Sequence, residues 1–417
     1  MIKEYVESIC KKAKEAFFEL SKADEKQING VLLFLAELID KKREAIKLEN
    51  LKDMENGRQN NLSSALLDRL LLNDKRIDSM IESLQTLVSL RSPVGEVIDG
   101  WVLENALKIE KVRVPIGVVG IIYESRPNVT IDAASLCLKS SNCAVLRGGK
   151  EAINSNRILS ELIKEALRSN ALSEDCVGFI DNTDREGVLH LAKADKYIDV
   201  IVPRGGEGLI KFVSQNATVS VIKHDKGLCH TFIDKDADLD KALNIAYNAK
   251  VQRPGVCNAM ETLLVHKDIA GKFLPEFYLL SKQAKVELRG CKRTLEILKD
   301  IKEATEDDWN REYLDLILSI KIVDDLEEAI GHINKYGSSH SEAIVTENYS
   351  NAEDFLNRVD ASCVYVNAST RFTDGGVFGM GAEIGISTNK LHARGPVGLK
   401  ELTTYKYKIR GSGQIRK

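Results

Sequence analysis

The chain has 417 residues, which is too long for one ordinary hydrophobic core and predicts two or three domains. Its 59 Lys and Arg nearly balance its 62 Asp and Glu, so no basic surplus favours a nucleic-acid partner. No apolar stretch approaches the ~20 residues that cross a bilayer, and the charged, amphipathic start is unlike a signal peptide. Eight cysteines without CxxC or metal-type spacing indicate reduced thiols, so we expect a cytoplasmic protein with no metal, membrane or nucleic-acid partner.

The first ninety residues are predicted to be helical throughout. Apolar residues recur at three- and four-residue steps, for example along 30–39, 62–72 and 77–90. The pattern changes at Pro93, because residues 94–114 alternate charged and branched side chains. That alternation predicts an exposed hairpin.

From Ile116 the chain repeats a unit of strand, turn and helix. The predicted strands are 116–123, 143–147, 177–180 and 198–203, and the predicted helices are 131–138, 154–170 and 186–193. Such alternation implies a parallel sheet with helices on both faces. The rhythm restarts after Ala217, which predicts a second α/β domain, and a glycine-rich stretch and a strand-like tail at 401–409 close the chain.

Two loops after predicted strands are glycine-rich and cationic, at residues 147–150 and 204–208. Ligands bind beyond the carboxyl ends of such strands, where glycine backbone N–H groups and a following helix can hold phosphate. Arg147 and Lys150 could then neutralise a nucleotide phosphate. The alternative is that both are tight turns, and neither matches GxGxxG or the Walker pattern.

Asn128 follows the most apolar predicted strand, within the segment 124–130. Its side-chain amide could donate to an oxyanion, whereas by itself it would be an ordinary helix cap.

Cys257 is the strongest candidate nucleophile. A Pro-Gly pair at 254–255 predicts a turn just before the thiol, and small or polar residues follow it. Such a turn presents a cysteine to a cleft, although free cysteines are more often buried in a core. Both interpretations of Cys257 stay open from the local sequence.

The order and spacing of these segments resemble the aldehyde dehydrogenase superfamily. The strand 116–120 that leads to Asn128, the run 145–151 and the Cys257 segment follow one another as in that family.

Within the superfamily, the chain is similar to the branch that reduces L-glutamyl 5-phosphate. The segment 336–342 inside 323–344 is highly specific for that branch. The segments 367–376 and 392–396 also match, so the resemblance covers essentially the whole chain.

The resemblance implies an α/β, aldehyde-dehydrogenase-like fold: two α/β domains with parallel-type sheets and a small β flap for oligomerisation. The flap would join copies of the chain by edge pairing, which implies a homo-oligomer, a dimer or tetramer. The implied parts are a dinucleotide-binding domain at 1–93 and 115–228, a catalytic domain at 229–370, an oligomerisation hairpin and tail at 94–114 and 395–417, and a return segment near the cofactor domain at 371–394.

The implied reaction is NADPH-dependent reduction of L-glutamyl 5-phosphate to glutamate 5-semialdehyde and phosphate, the second step of proline synthesis from glutamate. Cys257 would form a thioester, with Asn128 and the Cys257 N–H holding the oxyanion. The resemblance implies NADP(H) contacts at Arg147, Lys150, Gly205, Gly206 and Glu312. Association with glutamate 5-kinase is a further expectation, because the acyl phosphate can be lost to its own amine.

One departure from the superfamily concerns water. Hydrolysing relatives carry a glutamate base against the thioester, and our alignment places Ile222 there. An apolar residue suits a reductase, because hydrolysis of the thioester by water would prevent its reduction to the aldehyde. Arg253 and the N-terminus of a following helix are the candidates for lowering the pKa of Cys257.

Several side chains could bind the anionic groups of the substrate, and the alternative for each of them is a structural or solvated side chain. They are Lys223, His224, Ser339, His340, Arg371 and Thr373.

Three competing interpretations remain. The chain could act on a different acid within the same superfamily, which the segment 336–342 argues against. It could be a cofactor-free cysteine hydrolase or acyltransferase, which needs a His base near Cys257. It could also be a binding protein without activity, which the retention of Cys257, Asn128 and both glycine-rich loops argues against.

Overall fold

The computed structural model describes residues 2–223 and 226–416. By their internal packing, the described residues form two units. Of the described residues, unit 1 comprises 2–223, 379–385 and 397–416, and unit 2 comprises 226–378 and 386–396. Within these ranges, no helix is both long enough and apolar enough to pass through a membrane.

Unit 1 begins with five helices, as the apolar periodicity predicts: α1 (Ile2–Leu20), α2 (Glu25–Lys41), α3 (Arg43–Gln59), α4 (Ser64–Leu70) and α5 (Asp74–Ser89). Helix α2 shows the local cause. The Asp24 carboxylate accepts the Gln27 N–H at 2.7 Å, which caps the first turn. Ile28, Leu32 and Leu35 then lie buried on one face.

The central sheet of unit 1 has four parallel strands: β3 (Val118–Tyr123), β4 (Cys143–Gly148), β5 (Val177–Phe179) and β6 (Val200–Arg204). The order is β5-β4-β3-β6, and every residue of β3 and β4 is buried. Four helices alternate with these strands: α6 (Asn128–Lys139), α7 (Ile153–Ser169), α8 (Arg185–Ala192) and α9 (Glu207–Asn216).

A separate three-stranded antiparallel sheet, which we call the flap, also belongs to unit 1. Its strands are β1 (Val97–Val102), β2 (Lys108–Pro115) and β16 (Thr403–Arg410), in the order β1-β2-β16. The predicted hairpin and the predicted strand-like tail therefore pair with each other through β2. Strands β1 and β16 are its two edges, and nearly all their side chains are exposed.

Unit 2 contains a seven-stranded parallel sheet in the order β10-β9-β11-β8-β7-β12-β13. Its strands are β7 (Cys229–Ile233), β8 (Met260–His266), β9 (Glu287–Gly290), β10 (Lys302–Glu303), β11 (Ile317–Val323), β12 (Ser341–Val345) and β13 (Cys363–Val366). The helices are α10 (Leu239–Val251), α11 (Lys267–Gln283), α12 (Lys292–Ile297), α13 (Leu326–Tyr336) and α14 (Tyr349–Arg358). A short antiparallel pair, β14 (Ile386–Ser387) and β15 (Gly395–Pro396), completes the unit.

The predicted fold class is confirmed: two α/β units with parallel sheets, and one small antiparallel sheet. The functional assignment of the parts stays a prediction. By packing, the boundary between the units follows residue 223, and most of the predicted return segment 371–394 belongs to unit 2.

Candidate active site

Cys257 lies in an irregular turn between helix α10 and strand β8, as the Pro-Gly pair predicts, and it is half-buried. The Ala259 N–H donates to the Val256 carbonyl at 3.0 Å, which closes the turn around the thiol. One expectation is wrong: no helix follows Cys257, because strand β8 begins at Met260. A helix N-terminus in this position therefore cannot lower the pKa of the thiol.

The segment that enters strand β7 packs directly against the Cys257 backbone. A Cβ atom at Gly227 would lie 2.3 Å from Cys257 Cα and 2.5 Å from its Cβ, so only glycine fits there. The Cys229 thiol donates to the Cys257 carbonyl at 3.2 Å. Burial raises the pKa of Cys229 well above its ordinary value, and Glu342 and Cys257 add to the effect, so this thiol stays protonated.

Asn258, the residue after Cys257, holds the turn from a second side. Asn258 Nδ2 donates to the Thr373 carbonyl at 2.8 Å, and the Asn258 carbonyl accepts the Thr370 hydroxyl at 2.7 Å. The Arg371 guanidinium donates to Asn258 Oδ1 and, at 2.8 Å, to Gln252 Oε1. Two of the predicted substrate residues, Arg371 and Thr373, are thus tied to the Cys257 turn.

Two arginines supply the positive charge around this turn. Burial lowers the pKa of Arg371, the neighbouring Arg253 lowers it further, and Cys257 acts in the opposite direction. An arginine remains a cation despite such shifts, because its ordinary pKa is above 12. The Arg371 charge is therefore available to favour a thiolate at Cys257 or to bind an anionic ligand group.

His340 and Thr373 belong to one buried hydrogen-bonded chain. His340 Nδ1 lies 2.9 Å from the Ser341 hydroxyl and 3.7 Å from the Cys229 sulfur. The Ser341 hydroxyl contacts Thr373 Oγ1 at 2.6 Å, which in turn contacts the Tyr365 hydroxyl at 2.6 Å.

Ser339, beside this chain, has a left-handed backbone with φ of 58°. Its carbonyl accepts both the N–H and the hydroxyl of Ser362, each at 2.9 Å. The observed contacts of Ser339 are therefore made by its backbone.

Glu312 lies in unit 2, half-buried, in the irregular segment before strand β11. It neighbours a buried ion pair in which Lys250 Nζ and Glu261 Oε2 are 2.6 Å apart. Burial raises the pKa of Glu261 to about 7, against the Lys250 cation, and Glu312 adds to the rise. The Leu314 N–H donates to Glu261 Oε1 at 3.1 Å and anchors the segment that carries Glu312.

In unit 1, Asn128 is the first residue of helix α6, but its side chain does not cap the helix. Nδ2 donates forward by one turn to Asp132 Oδ2 at 2.8 Å. Burial raises the pKa of Asp132 to about 6, against the lowering effects of Asn128, Arg204 and Ser83. The second N–H of this amide is the one that a ligand oxyanion would use.

Arg147 is buried at the end of strand β4, and its guanidinium faces backbone carbonyls. NH1 donates to the Gly148 carbonyl at 2.9 Å, and NH2 donates to those of Thr183 at 2.8 Å and Asp184 at 3.1 Å. Burial lowers the pKa of Arg147. Lys150, by contrast, is exposed at the start of a short 3-10 turn.

Gly205 and Gly206 lie between strand β6 and helix α9. The Gly206 N–H donates to Glu124 Oε2 at 2.9 Å, so an anionic group already binds this helix N-terminus. A Cβ at Gly205 would lie 2.5 Å from the same carboxylate oxygen, so any other residue there would displace the end of the Glu124 side chain.

Lys223 is half-buried at the end of unit 1, and the predicted His224 lies outside the described residues. Ile222 is buried, and its N–H donates to the Ile201 carbonyl at 2.9 Å, which extends the edge of strand β6.

Within unit 2, the structure brings together four predicted residues: Cys257, His340, Arg371 and Thr373. Ser339 lies next to His340 in the same unit, and Glu312 lies beside the Lys250–Glu261 pair. The remaining described candidates belong to unit 1: Asn128, Arg147, Lys150, Gly205, Gly206 and Lys223. Sequence reasoning missed the residues that support them. These are Cys229, Asn258, Ser341 and Glu342 around Cys257, and Glu124 and Asp132 in unit 1. The only sequence signal for Asp132 was its i, i+4 spacing from Asn128.

The chain matches the model of the aldehyde dehydrogenase family over residues 2–294 and 297–407. It is 61% identical to a gamma-glutamyl phosphate reductase from Nitratiruptor sp. over 99% of this chain and 100% of that protein. It is 60% identical to one from Nautilia profundicola, over 93% of this chain and 94% of that protein.

The structural comparison agrees. A crystal structure of gamma-glutamyl phosphate reductase from Thermotoga maritima superposes with a TM-score of 0.97 at 52% identity, covering 99% of this chain and 100% of the other. The corresponding structure from Saccharomyces cerevisiae has a TM-score of 0.55 at 30% identity, with 98% of each chain covered.

Proposed function

We propose that this chain reduces L-glutamyl 5-phosphate to glutamate 5-semialdehyde with NADPH. The chain belongs to the aldehyde dehydrogenase family and, within it, to the gamma-glutamyl phosphate reductases, and this membership supports the proposed reaction. This would be the second step of proline synthesis from glutamate. The proposal includes a covalent thioester on Cys257.

In the proposed first step, the Cys257 thiolate attacks the carbonyl carbon of the acyl phosphate. The carbon–oxygen bond to phosphate then breaks, and phosphate leaves with the electron pair, so that a thioester remains. The Asn128 amide and the Cys257 N–H are assigned to the developing oxyanion, and losing one such donor costs about 3 kcal/mol. After reduction, the tetrahedral alkoxide collapses, expels the thiolate and releases the aldehyde.

A nicotinamide cofactor, when bound, supplies the hydride that reduces the thioester. In unit 1 the N-terminus of helix α9 is a place where anions bind, but its Gly206 N–H donates to the Glu124 carboxylate at 2.9 Å and would have to exchange that partner for a phosphate. The exposed Lys150 suits a phosphate as well. Arg147 fits less directly, because its guanidinium donates to the carbonyls of Gly148, Thr183 and Asp184.

The observation that carries the proposal is the Cys257 turn itself. A half-buried thiol interacts electrostatically with the Arg371 cation, in a turn held by Gly227 and Asn258. Such an environment favours a thiolate and an anionic substrate. The buried, apolar Ile222 supports a reductase, since it cannot activate water where hydrolysing relatives have a glutamate.

The decisive test is the reverse reaction, because the acyl phosphate cannot be stored. Purified protein is mixed with glutamate 5-semialdehyde, NADP and phosphate, and the absorbance of the reduced nicotinamide is followed. We expect NADP to be reduced only when phosphate is present, and we expect the rate to fall by at least about 10³-fold in Cys257→Ala.

The matched control is Cys291→Ala, which removes another half-buried thiol of unit 2 and should keep wild-type activity. Equal rates without phosphate would mean that water is the acceptor, and the chain would be a hydrolytic dehydrogenase. If folded protein reduced no NADP under any of these conditions, the result would favour a hydrolase or a binding protein.

The proposal includes a homo-oligomer. The flap presents apolar side chains on both edges, which supports a homo-oligomer formed through this sheet.

The proposal also includes association with glutamate 5-kinase, which would protect the labile acyl phosphate. Cross-linking that captures no kinase, together with unprotected decay of the intermediate, would contradict that association.

A further inference from the structure

The segment 336–342 is the most distinctive part of the sequence, and three of its polar side chains contact residues 228–230. The Ser338 hydroxyl accepts the Leu228 N–H at 2.9 Å. His340 Nδ1 lies 3.7 Å from the Cys229 sulfur. Alternate residues of the segment therefore contact successive residues as the chain enters strand β7.

Glu342 makes the third of these contacts, to His230. Its Oε2 accepts both the backbone N–H of His230 at 2.7 Å and the ring Nδ1 at 2.9 Å. The two side chains are fully buried, and Glu342 faces His230 in the register of strands β12 and β7. A carboxylate is costly to bury, so its two hydrogen bonds hold the start of strand β7 in one position.

The chain that enters strand β7 also contacts the proposed nucleophile, Cys257, through Gly227 and Cys229. Gly227 packs on Cys257 Cα, and the Cys229 thiol donates to the Cys257 carbonyl at 3.2 Å. A shift at the start of strand β7 would therefore move Cys257.

The segment reaches the turn from the other side as well. The Ser341 hydroxyl, bonded to His340 at 2.9 Å, contacts Thr373 Oγ1 at 2.6 Å. The Thr373 carbonyl accepts from Asn258 at 2.8 Å, directly after Cys257.

We infer that Glu342 is a positioning residue for the reaction: with Ser338 and His340 it holds residues 228–230, and through them it holds the Cys257 sulfur in its reactive position. The inference rests on the proposed function only for its kinetic readout. Glu342 itself does not exchange protons with the substrate, and hydrogen-bond geometry matters here more than charge.

The test compares Glu342→Ala and Glu342→Gln. The alanine variant removes both acceptors for His230, whereas the amide oxygen of glutamine can still accept both bonds. We expect Glu342→Ala to lower kcat by about 10- to 100-fold with KM changed by less than about 2-fold, because a displacement near 1 Å has effects of that size. We expect Glu342→Gln to recover kcat to within about 3-fold of wild type.

A second readout needs no substrate. The alkylation rate of Cys257 by iodoacetamide, followed across pH and located by mass spectrometry, should change in Glu342→Ala and recover in Glu342→Gln. If the wild-type enzyme showed no reductase activity, the proposed function would fail, and this readout would still decide the role of Glu342.

The matched control is Asp234→Ala, at the opposite end of strand β7. Asp234 is also a buried carboxylate, and it accepts from Thr346 Oγ1 at 2.7 Å and Asn351 Nδ2 at 2.8 Å. This variant should lose stability but keep kcat and the alkylation rate below its unfolding temperature. Wild-type kcat and alkylation in Glu342→Ala, or equal losses in Asp234→Ala, would overturn the inference.

Ser338→Ala covers the case in which Glu342→Ala does not fold. It removes both hydrogen bonds of the Ser338 hydroxyl to Leu228, from the N–H at 2.9 Å and to the carbonyl at 3.4 Å. It should lower kcat and the alkylation rate together by about 3- to 10-fold, as expected for a net contribution of about 1 kcal/mol. Unchanged values of both in Ser338→Ala would then overturn the inference.

Discussion

At the scale of single residues, the pair Asn128 and Asp132 links the predicted oxyanion donor to a titratable group. The Asn128 amide donates to Asp132 Oδ2 at 2.8 Å, and burial raises the pKa of Asp132 to about 6. The folded state therefore binds the Asp132 proton more tightly than the unfolded state does. Its contribution to stability is complete below about pH 4 and is lost as the pH rises through about 6.

We predict that Asp132→Asn stabilises the protein more at pH 7 than at pH 4, because the amide carries no charge to bury. The difference between the two pH values should be about 1–2 kcal/mol, less than the full pKa shift implies, since the side chain is only half-buried. Thermal unfolding from pH 4 to pH 8 measures it. Asp195→Asn, at an exposed aspartate of unit 1, is the control for the general effect of this substitution. An Asp132→Asn effect that is flat with pH would contradict the prediction.

At the scale of elements, the candidate site of unit 2 is built where parallel strands begin. Cys229, Ser341 and Cys363 are the first residues of strands β7, β12 and β13, and Cys257 lies just before strand β8. Because neighbouring parallel strands start at the same end of a sheet, these residues meet there although they are far apart in the chain. The predicted phosphate loops of unit 1 instead follow the carboxyl ends of strands β4 and β6.

We predict that Gly227→Ala lowers kcat by about 10- to 100-fold, because the new Cβ would lie 2.3 Å from Cys257 Cα and must displace the turn. The control Gly331→Ala adds a Cβ in helix α13 that meets nothing within 4 Å. Alanine there should stabilise the helix by about 0.5–1 kcal/mol and leave kcat unchanged. Steady-state kinetics and thermal unfolding of both variants measure the contrast, and wild-type kcat in Gly227→Ala would show that the turn can yield without loss.

At the scale of the whole molecule, the edge strands β1 and β16 of the flap leave apolar side chains exposed. Trp101 and Tyr407 pack edge to face at 6.2 Å, and both remain about half-exposed. Val102 and Ile409 are 62% and 59% exposed. Exposed apolar edge strands invite pairing with another chain, which is why we assign the proposed self-association to this sheet.

We predict that Ile409→Asp lowers the sedimentation coefficient by dissociating the oligomer, because a charge at the sheet face opposes burial. Stability of the separated chain should change by less than about 0.5 kcal/mol, as for most exposed positions. Leu279→Asp on helix α11 is the matched control, since Leu279 is 60% exposed and Ile409 is 59% exposed. Equal sedimentation of wild type and Ile409→Asp would place the interface elsewhere or show a monomer.

Much of the fold could be predicted because its causes are local. The predicted helix 154–170 is observed at Ile153–Ser169, and the predicted strand 143–147 at Cys143–Gly148, since periodic burial needs only neighbouring residues. The Cys257 turn was predicted by the Pro-Gly pair for the same reason. The resemblance then indicated the family, which the comparisons confirm.

What the tertiary structure alone decided is how the site residues are held. Glu342 bonds His230 across a separation of 112 residues, and Asn258 bonds Thr373 across 115. Asn128, which as a lone residue suggested a helix cap, instead donates to Asp132 in the next turn. The sequence by itself determined the elements and the fold class, because short-range patterns encode them, and it made Cys257 the candidate nucleophile. The partners around Cys257 depend on the order of strands in the sheet, and that order follows from packing the whole chain.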